Sequence, residues 1–585
     1  MRPGSRRGWA WGPGAAFAGL LGCHHAALPP KPDGAAVVVA DDVPSDVPTV
    51  EEKEPNDTPA TATVLAFGDA GGLSVRAELE LGAGKAHGVD LYRLTVPPPP
   101  VLVADTKSPS PVDAGPDGGV DAGTVSPRQR LAVVVEAKGS PLVVEALDDK
   151  GNLLMADTSS AEETAGFPNW SVLPGSHFLR VRTPVPPKAP RGGPARAAAG
   201  GASGTGSVGP LPYKVSLRLS TPEPGEETEP NGKAALAQAA TADDELAGFY
   251  GWRRDEDWYR VDVAGVPEGN LLSLDLTPVP GVAASLAIFD LAEHRLMDRK
   301  GRKDESLSIR DLAWSKGEAA VYVVVRAEAG KNSTERYRLR VRNQPVSPET
   351  ETEPNDDAAH ALPLGEGTVQ GTLGRGDVDL YRFKLDEARV AALEVTPPER
   401  VDVKVDVLRE NGGASVVHLD QGKRHEPEAI PNLFLVPGAY LLRLSMAPGD
   451  SNPDEPYQVT LSLRSAEPGE EREPNDAIAR ATLLSPGSSA RGWLAPRGDV
   501  DTWRFDHPSS TGSTLSIEGV PDLSLEVKVM TAAGKDVGRA AVGAGAQAVV
   551  QIPAGGEGCC FIQIREKSGK LMNSRDSYGL TLSSP

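Results

Sequence analysis

The chain predicts an all-β protein made of tandem antiparallel β-sandwich domains, and three observations carry that expectation. Short Val- and Leu-rich runs, such as Leu131–Val135 and Val321–Val325, favour strands over helices. Turn formers punctuate them throughout, with 63 Gly and 53 Pro in 585 residues. One acidic signature also recurs four times, its last three copies starting 124 and 120 residues apart at Glu227, Glu351 and Glu471. Solenoid repeats run at about 20 to 50 residues, so a repeat of this size reads as a whole domain, and the chain is too long for one core.

The N-terminus reads as an address. Residues 1–23 combine a basic start (Arg2, Arg6, Arg7), an apolar stretch from Trp9 to Leu21 interrupted by Pro13, and Leu20-Leu21-Gly22-Cys23. This resembles a bacterial lipoprotein signal, in which cleavage before Cys23 frees the thiol for lipid attachment. An ordinary secretory signal with an incidental Cys is the alternative. Residues 24–50 lack periodicity and read as a flexible tether. A lipid on Cys23 would hold the protein on an extracytoplasmic membrane face, outer membrane or cell surface, without spanning it.

Four units follow, at 51–220, 222–343, 347–464 and 467–585. The first is longer because of two inserts, 104–129 and 184–210, whose Pro/Ala/Gly/Asp composition reads as disordered. Each unit opens on Glu-x-Glu-Pro-Asn: Glu52 to Asn56, Glu227 to Asn231, Glu351 to Asn355 and Glu471 to Asn475. A second element follows: Gly88-Val-Asp90, Asp255-Glu-Asp257, Asp377-Val-Asp379 and Asp499-Val-Asp501. From the second Glu to the second Asp the chain runs 36, 28, 26 and 28 residues. Beyond it, Tyr381, Phe383 and Leu385 alternate with Arg382 and Lys384, the period of a half-buried strand. A Pro-Gly turn into an apolar strand (Pro437-Gly438) and a last strand opened by Tyr213, Tyr337, Tyr457 or Tyr578 close the pattern.

Glu-Pro-Asn-Asp, then Gly-Asp-Val-Asp-x-Tyr-Arg-Phe, then Pro-Gly-x-Tyr-x-x-Arg resemble the bacterial pre-peptidase C-terminal domain family. The resemblance spans residues 50–585 and is fullest over 353–383. It departs at Gly88 in the first copy, Gly232 in the second and Trp503 in the fourth. It implies jelly-roll-like sandwiches that accompany secreted peptidases, a family that includes the collagen-binding modules of clostridial collagenases.

The repeated acids have a chemistry of their own. In an extended segment Glu351, Glu353 and Asn355 face one way, and Asp377 and Asp379 project together from a strand start. Side by side, and with Asp356, they would gather five or six oxygens, which repel unless a cation such as Ca²⁺ neutralises them. The collagen-binding relatives carry calcium at a similar place, and the resemblance implies it for this set. The equivalents are Glu471, Glu473, Asn475, Asp476, Asp499 and Asp501, and a poorer set of Glu227, Glu229, Asn231, Asp255 and Asp257. The competing reading is structural: Asn and Asp after Pro form Asx-turns, the second Asp hydrogen-bonds that turn, and a strand Arg pairs with a Glu.

Other chemistries find little support. A net charge of −21 disfavours nucleic acid, and aromatic residues, at 5%, are too sparse for broad stacking platforms. Gly204-x-Gly206-x-x-Gly209 sits in a Gly/Ser stretch without the strand–helix context of a dinucleotide site. His418 and His425 read as exposed, Cys559–Cys560 as buried strand thiols, and Trp252, Trp258, Trp314 and Trp503 as core. No nucleophile–base motif stands out. The expected role is therefore non-catalytic: binding or adhesion to an extracytoplasmic protein or matrix polymer by tethered modules. A spacer or assembly partner of an envelope complex is the alternative, and a hydrolase of unrecognised type the third reading.

Overall fold

The computed structural model describes residues 47–67, 71–79, 88–99, 128–137, 140–160, 163–184, 210–345, 347, 349–411, 415–506, 512–554 and 560–583. The signal-like segment with Cys23, most of the tether and of both inserts, the Gly204–Gly209 run and Cys559 lie outside them. The fold is all-β: among the described residues the only helical turns are two short 3-10 segments, Ala234–Leu236 and Ile478–Arg480. None is long and apolar enough to cross a membrane.

Among the described residues, eight sheets pair into four sandwiches that share the same two strand orders. In the third unit one sheet runs Leu362–Pro363, Asp379–Leu385, Gly438–Met446, Val403–Arg409, Ser415–Leu419. The facing sheet runs Gly367–Leu373, Asn452–Arg464, Arg389–Thr396, Glu428–Leu435. The other units repeat both orders, and the first adds Thr49–Glu51 beside Gly72–Leu79. Parallel pairings depart from a purely antiparallel sandwich, one of them that of Thr49–Glu51 with Gly72–Leu79. The short strand after each Glu-Pro-Asn turn pairs parallel with the Asp-x-Asp strand, as Leu362 does with Tyr381.

Alternation drives the packing. In Asp379–Leu385 the residues Tyr381, Phe383 and Leu385 are buried while Lys384 is exposed. Each unit encloses its own cluster of apolar side chains, such as Tyr381, Val405, Leu442 and Tyr457 in the third. Full burial of each such side chain contributes roughly 1.5–3 kcal/mol. Trp503 lies wholly inside and Trp258 nearly so. Trp252, in the second unit, packs instead against the first unit's core, edge-on to Phe167.

Contacts between units join sequence neighbours, a serial arrangement like that of a solenoid with very large repeats. The contact strand is bulged in three units. Pro168-Asn169 in Ala165–Val172, Arg310-Asp311 in Leu307–Leu312 and Pro431-Asn432 in Glu428–Leu435 fall where the register shifts. A bulge frees backbone groups from the ladder, and the next unit uses them. The corresponding strand of the fourth unit, Gln547–Ile552, pairs without a shift.

Candidate cation centres at the joints between units

The opening segments of the last three units dock on the preceding unit's bulge through their second Glu. The Glu229 amide donates to the Asn169 carbonyl at 3.1 Å and the Glu229 carbonyl accepts from the Ser171 amide at 2.8 Å. Glu353 repeats this with Asp311 and Ala313 (2.8 and 2.7 Å), and Glu473 with Asn432 and Phe434 (3.0 and 2.8 Å). A second contact recurs beside it. Arg253, Arg375 and Arg497, each in the loop before the first Asp, reach back to Glu163, Glu305 and Glu426 of the preceding unit at 3.2, 2.9 and 2.8 Å.

The Glu–Pro peptide is cis in all four copies. The Asn amide after it donates to the second Glu (Asn231 to Glu229 2.7 Å, Asn355 to Glu353 2.8 Å, Asn475 to Glu473 2.9 Å). The Asn side-chain nitrogen donates to the first Glu at 3.3, 3.2 and 2.8 Å. In these contacts the Glu carboxylates accept, while Asn231 Oδ1 and Asn355 Oδ1 accept no hydrogen bond, so they are not the Asx-turns of the structural reading. They coexist with the acidic convergence. Glu227, Glu229 and Asp257 offer oxygens within 4.8 Å of one another, as do Glu353, Asp377 and Asp379, and Glu471, Glu473 and Asp501.

In the second copy Glu227, Glu229, Asn231, Asp255 and Asp257 are all at most 1% exposed. Burial, followed by mutual repulsion, pushes the carboxyls of Glu227, Glu229 and Asp255 well above the carboxylate range, and burial pushes Asp257 up to about 7. The same cause raises Glu471, Asp499 and Asp501 strongly and Glu473 less. No described Lys, Arg or His forms an ion pair with any of these eight acids. Orphaned oxygens remain: Glu229 Oε1, Asn231 Oδ1, Asp255 Oδ1 and Asp257 Oδ1 in the second copy, Glu473 Oε1 and Asp501 Oδ2 in the fourth, and Asn355 Oδ1 and both Asp379 oxygens in the third. A buried oxygen without a partner is costly.

A hard divalent cation fits this donor set. All donors are oxygen, and two ligands of one Ca²⁺ at about 2.3–2.6 Å lie at most about 5 Å apart, a separation the 4.8 Å clusters satisfy. Asp255, Glu351 and Asp499 lie outside these three-acid groups but are buried, whereas the two outer acids of the sequence-based sets are more accessible. Asp476 is exposed, and the Asp356 carboxylate, one-third exposed, binds Arg299 at the rim at 3.2 Å.

The third copy differs from its neighbours. Arg299, on the second unit's strand Arg295–Lys303, enters its cluster, with Nη2 2.6 Å from Glu353 Oε1 and paired with Asp377 Oδ1. The arginine side chain is 5% exposed. Burial would lower its pKa, yet Asp377, Glu353 and Asp356 raise it and keep it charged. Burial raises Glu353 and Asp379 strongly and Glu351 to about 7.

Behind every cluster lies a pair of hydrogen-bonded rings. Tyr92 and Tyr213, Tyr259 and Tyr337, and Tyr381 and Tyr457 share their hydroxyls at 2.5, 2.6 and 2.6 Å, and Trp503 Nε1 donates to Tyr578 at 2.8 Å. The Tyr337 hydroxyl donates to Asp257 and the Tyr457 hydroxyl to Glu351, each at 2.7 Å. Sequence reasoning placed these tyrosines on strands but not at the site. The signal available was their recurrence at fixed strand positions together with the acids. His418 is half exposed and paired with Asp406 at 2.8 Å, outside any acidic cluster, and Cys560 is buried.

No protein-family model matches the chain, and no curated protein matches it. Among solved structures, a fucolectin from striped bass (Morone saxatilis) serum is 10% identical, covering 37% of this chain and 83% of its own, with a TM-score of 0.12. The triple jelly-roll protein of an archaeal virus turret is 9% identical, covering 56% and 82%, with a TM-score of 0.16. A protein of Sulfolobus Turreted Icosahedral Virus is 8% identical, covering 56% and 83%, with a TM-score of 0.15. Scores this low support no argument about fold or role.

Proposed function

We propose that this chain is a non-catalytic, lipid-anchored envelope protein of the pre-peptidase C-terminal domain type. Its four sandwiches form a calcium-stiffened array that spaces and presents binding surfaces to an extracytoplasmic protein or matrix partner. One observation carries the reading: the buried acidic clusters recur at the joints, where the second Glu also pairs with the preceding unit's backbone. A catalytic centre needs one site with distinct roles, whereas this constellation repeats with the domain. Glu227, Glu229, Asn231, Asp255 and Asp257 would hold one ion, and Glu471, Glu473, Asn475, Asp499 and Asp501 another. Bound Ca²⁺ would supply charge neutralisation, and through Glu229 and Glu473 it would set the angle between neighbouring units.

Small-angle scattering of the chain in saturating calcium and in EDTA tests this. A larger ensemble of shapes in EDTA, reversed by calcium, is expected. Superimposable profiles would overturn the reading.

A further inference from the structure

We propose that Arg299 is a built-in cation: its guanidinium takes the metal's place in the third acidic cluster, so the joint between units two and three holds without metal while its neighbours require it. This rests on the calcium reading of the second and fourth clusters.

The atoms make the case. In all three copies the second Glu accepts the Asn amide on Oε2, leaving Oε1 to face inward. The first Asp accepts a backbone amide on Oδ2 (from Gly251, Gly374 and Ala495), leaving Oδ1. In the second copy those two inward atoms, Glu229 Oε1 and Asp255 Oδ1, have no partner, and in the fourth Glu473 Oε1 has none. In the third copy the same two positions, Glu353 Oε1 and Asp377 Oδ1, are the atoms Arg299 Nη2 contacts. A positive charge sits where the neighbouring clusters present uncompensated oxygens.

Strand register shows why, among the described residues, only one joint has this device. Val325 pairs with Asp257 and with Leu286, and Leu286 pairs with Arg299. By the same steps in the first unit, Val181 pairs with Asp90 and Val144, and Val144 with Asp157. In the third unit Leu444 pairs with Asp379 and Val405, and Val405 with Leu419. The three equivalent positions are therefore Asp157, Arg299 and Leu419. Asp157 pairs with Lys331 of the second unit at 3.0 Å, and Leu419 is buried apolar. Neither can neutralise the cluster ahead of it. A guanidinium offers fixed, planar, permanently charged donors that suit two carboxylates at once.

The test counts bound calcium per chain by native mass spectrometry, after EDTA stripping and readdition, on full-chain variants. Asp257→Asn and Asp501→Asn should each remove one ion, and Asp379→Asn none. Arg299→Ala should gain one ion, and the double variant Arg299→Ala/Asp379→Asn should lose that gain. A wild-type chain that loses an ion on Asp379→Asn, or an Arg299→Ala chain that gains none, overturns the role of Arg299 alone. Unchanged counts for both Asp257→Asn and Asp501→Asn instead sink the calcium reading of the joints. Should Arg299→Ala misfold in EDTA, calcium must restore its β-type circular dichroism. A variant that stays unfolded in millimolar calcium overturns the proposal.

Discussion

The first and second acidic clusters share one motif and differ in how far water reaches them. In the second, Glu227, Glu229, Asn231, Asp255 and Asp257 are all buried. In the first, Asn56 and Asp90 are buried, Glu52 is half-buried and Glu54 exposed. Two local differences accompany this. The second cluster lies beneath the preceding unit's bulge at Asn169, and no described strand lies over the first. The second cluster also packs on Gly248, where an added Cβ would meet the Tyr337 hydroxyl at 2.4 Å and Glu227 Oε2 at 2.8 Å. Gly371 and Gly492 occupy the equivalent positions opposite Tyr457 and Tyr578, whereas opposite Tyr213 the first unit has Ala77. Burial of the acids is thus a property of the joint and of one glycine, beyond the motif itself. Deep burial turns a patch of surface acids into a group that needs protons, a metal or an arginine.

Four experiments would break or sharpen that contrast. The largest effect is expected from Gly248→Ala, which forces a methyl group into a filled site and should destabilise the second unit by about 2 kcal/mol. Ala77→Gly should change the first by less than about 1 kcal/mol. Hydrogen exchange of Glu245–Tyr250 and of Gly72–Leu79 reads the two separately.

The pH dependence in EDTA comes next. Unfolded Asp and Glu titrate near 4, while in the folded chain Asp257 and Glu351 are pushed up to about 7 and Asp90 to about 8. The folded state therefore keeps protons that the unfolded chain has released, and the stability they confer is lost as pH rises through the folded values. Melting temperature in EDTA should fall steadily from pH 5 to pH 8, and calcium should flatten the fall. A melting temperature that rises over that range contradicts the buried-acid account.

Asn169→Ala removes the amide that donates to Glu227 at 2.5 Å and leaves that carboxyl short of a partner. A loss of about 1–2 kcal/mol is expected by urea unfolding, with no counterpart in the first cluster. The smallest effect belongs to Arg253→Ala. Its pair with Glu163 is 68% and 40% exposed, and such pairs are worth about 1 kcal/mol or less. Limited proteolysis at the joint should barely change.

Much of this architecture was legible in the chain. The period-two runs marked the strands, and Tyr381, Phe383 and Leu385 face inward as their alternation requires. The recurrence of Glu-x-Glu-Pro-Asn and Asp-x-Asp placed Glu227, Glu229, Asn231, Asp255 and Asp257 in one neighbourhood, as it did their equivalents. Asp356 and Asp476 were less legible, because composition near a turn does not say which side of it a carboxylate takes. Arg299 was illegible. It stands in a strand of ordinary charged residues, 54 residues before Glu353, and its partners belong to another unit. Asn169, Asp311 and Asn432 were equally silent, since a bulge is visible only once two strands are paired.

Local pattern therefore determined the strands, the repeat and the clustering of acids, because side-chain direction along a strand follows from covalent geometry. Tertiary structure alone decided which acids lie deep, which cluster receives an arginine and where one unit seats on the next. Those outcomes depend on desolvation and charge pairing across surfaces that meet only after each sandwich has folded.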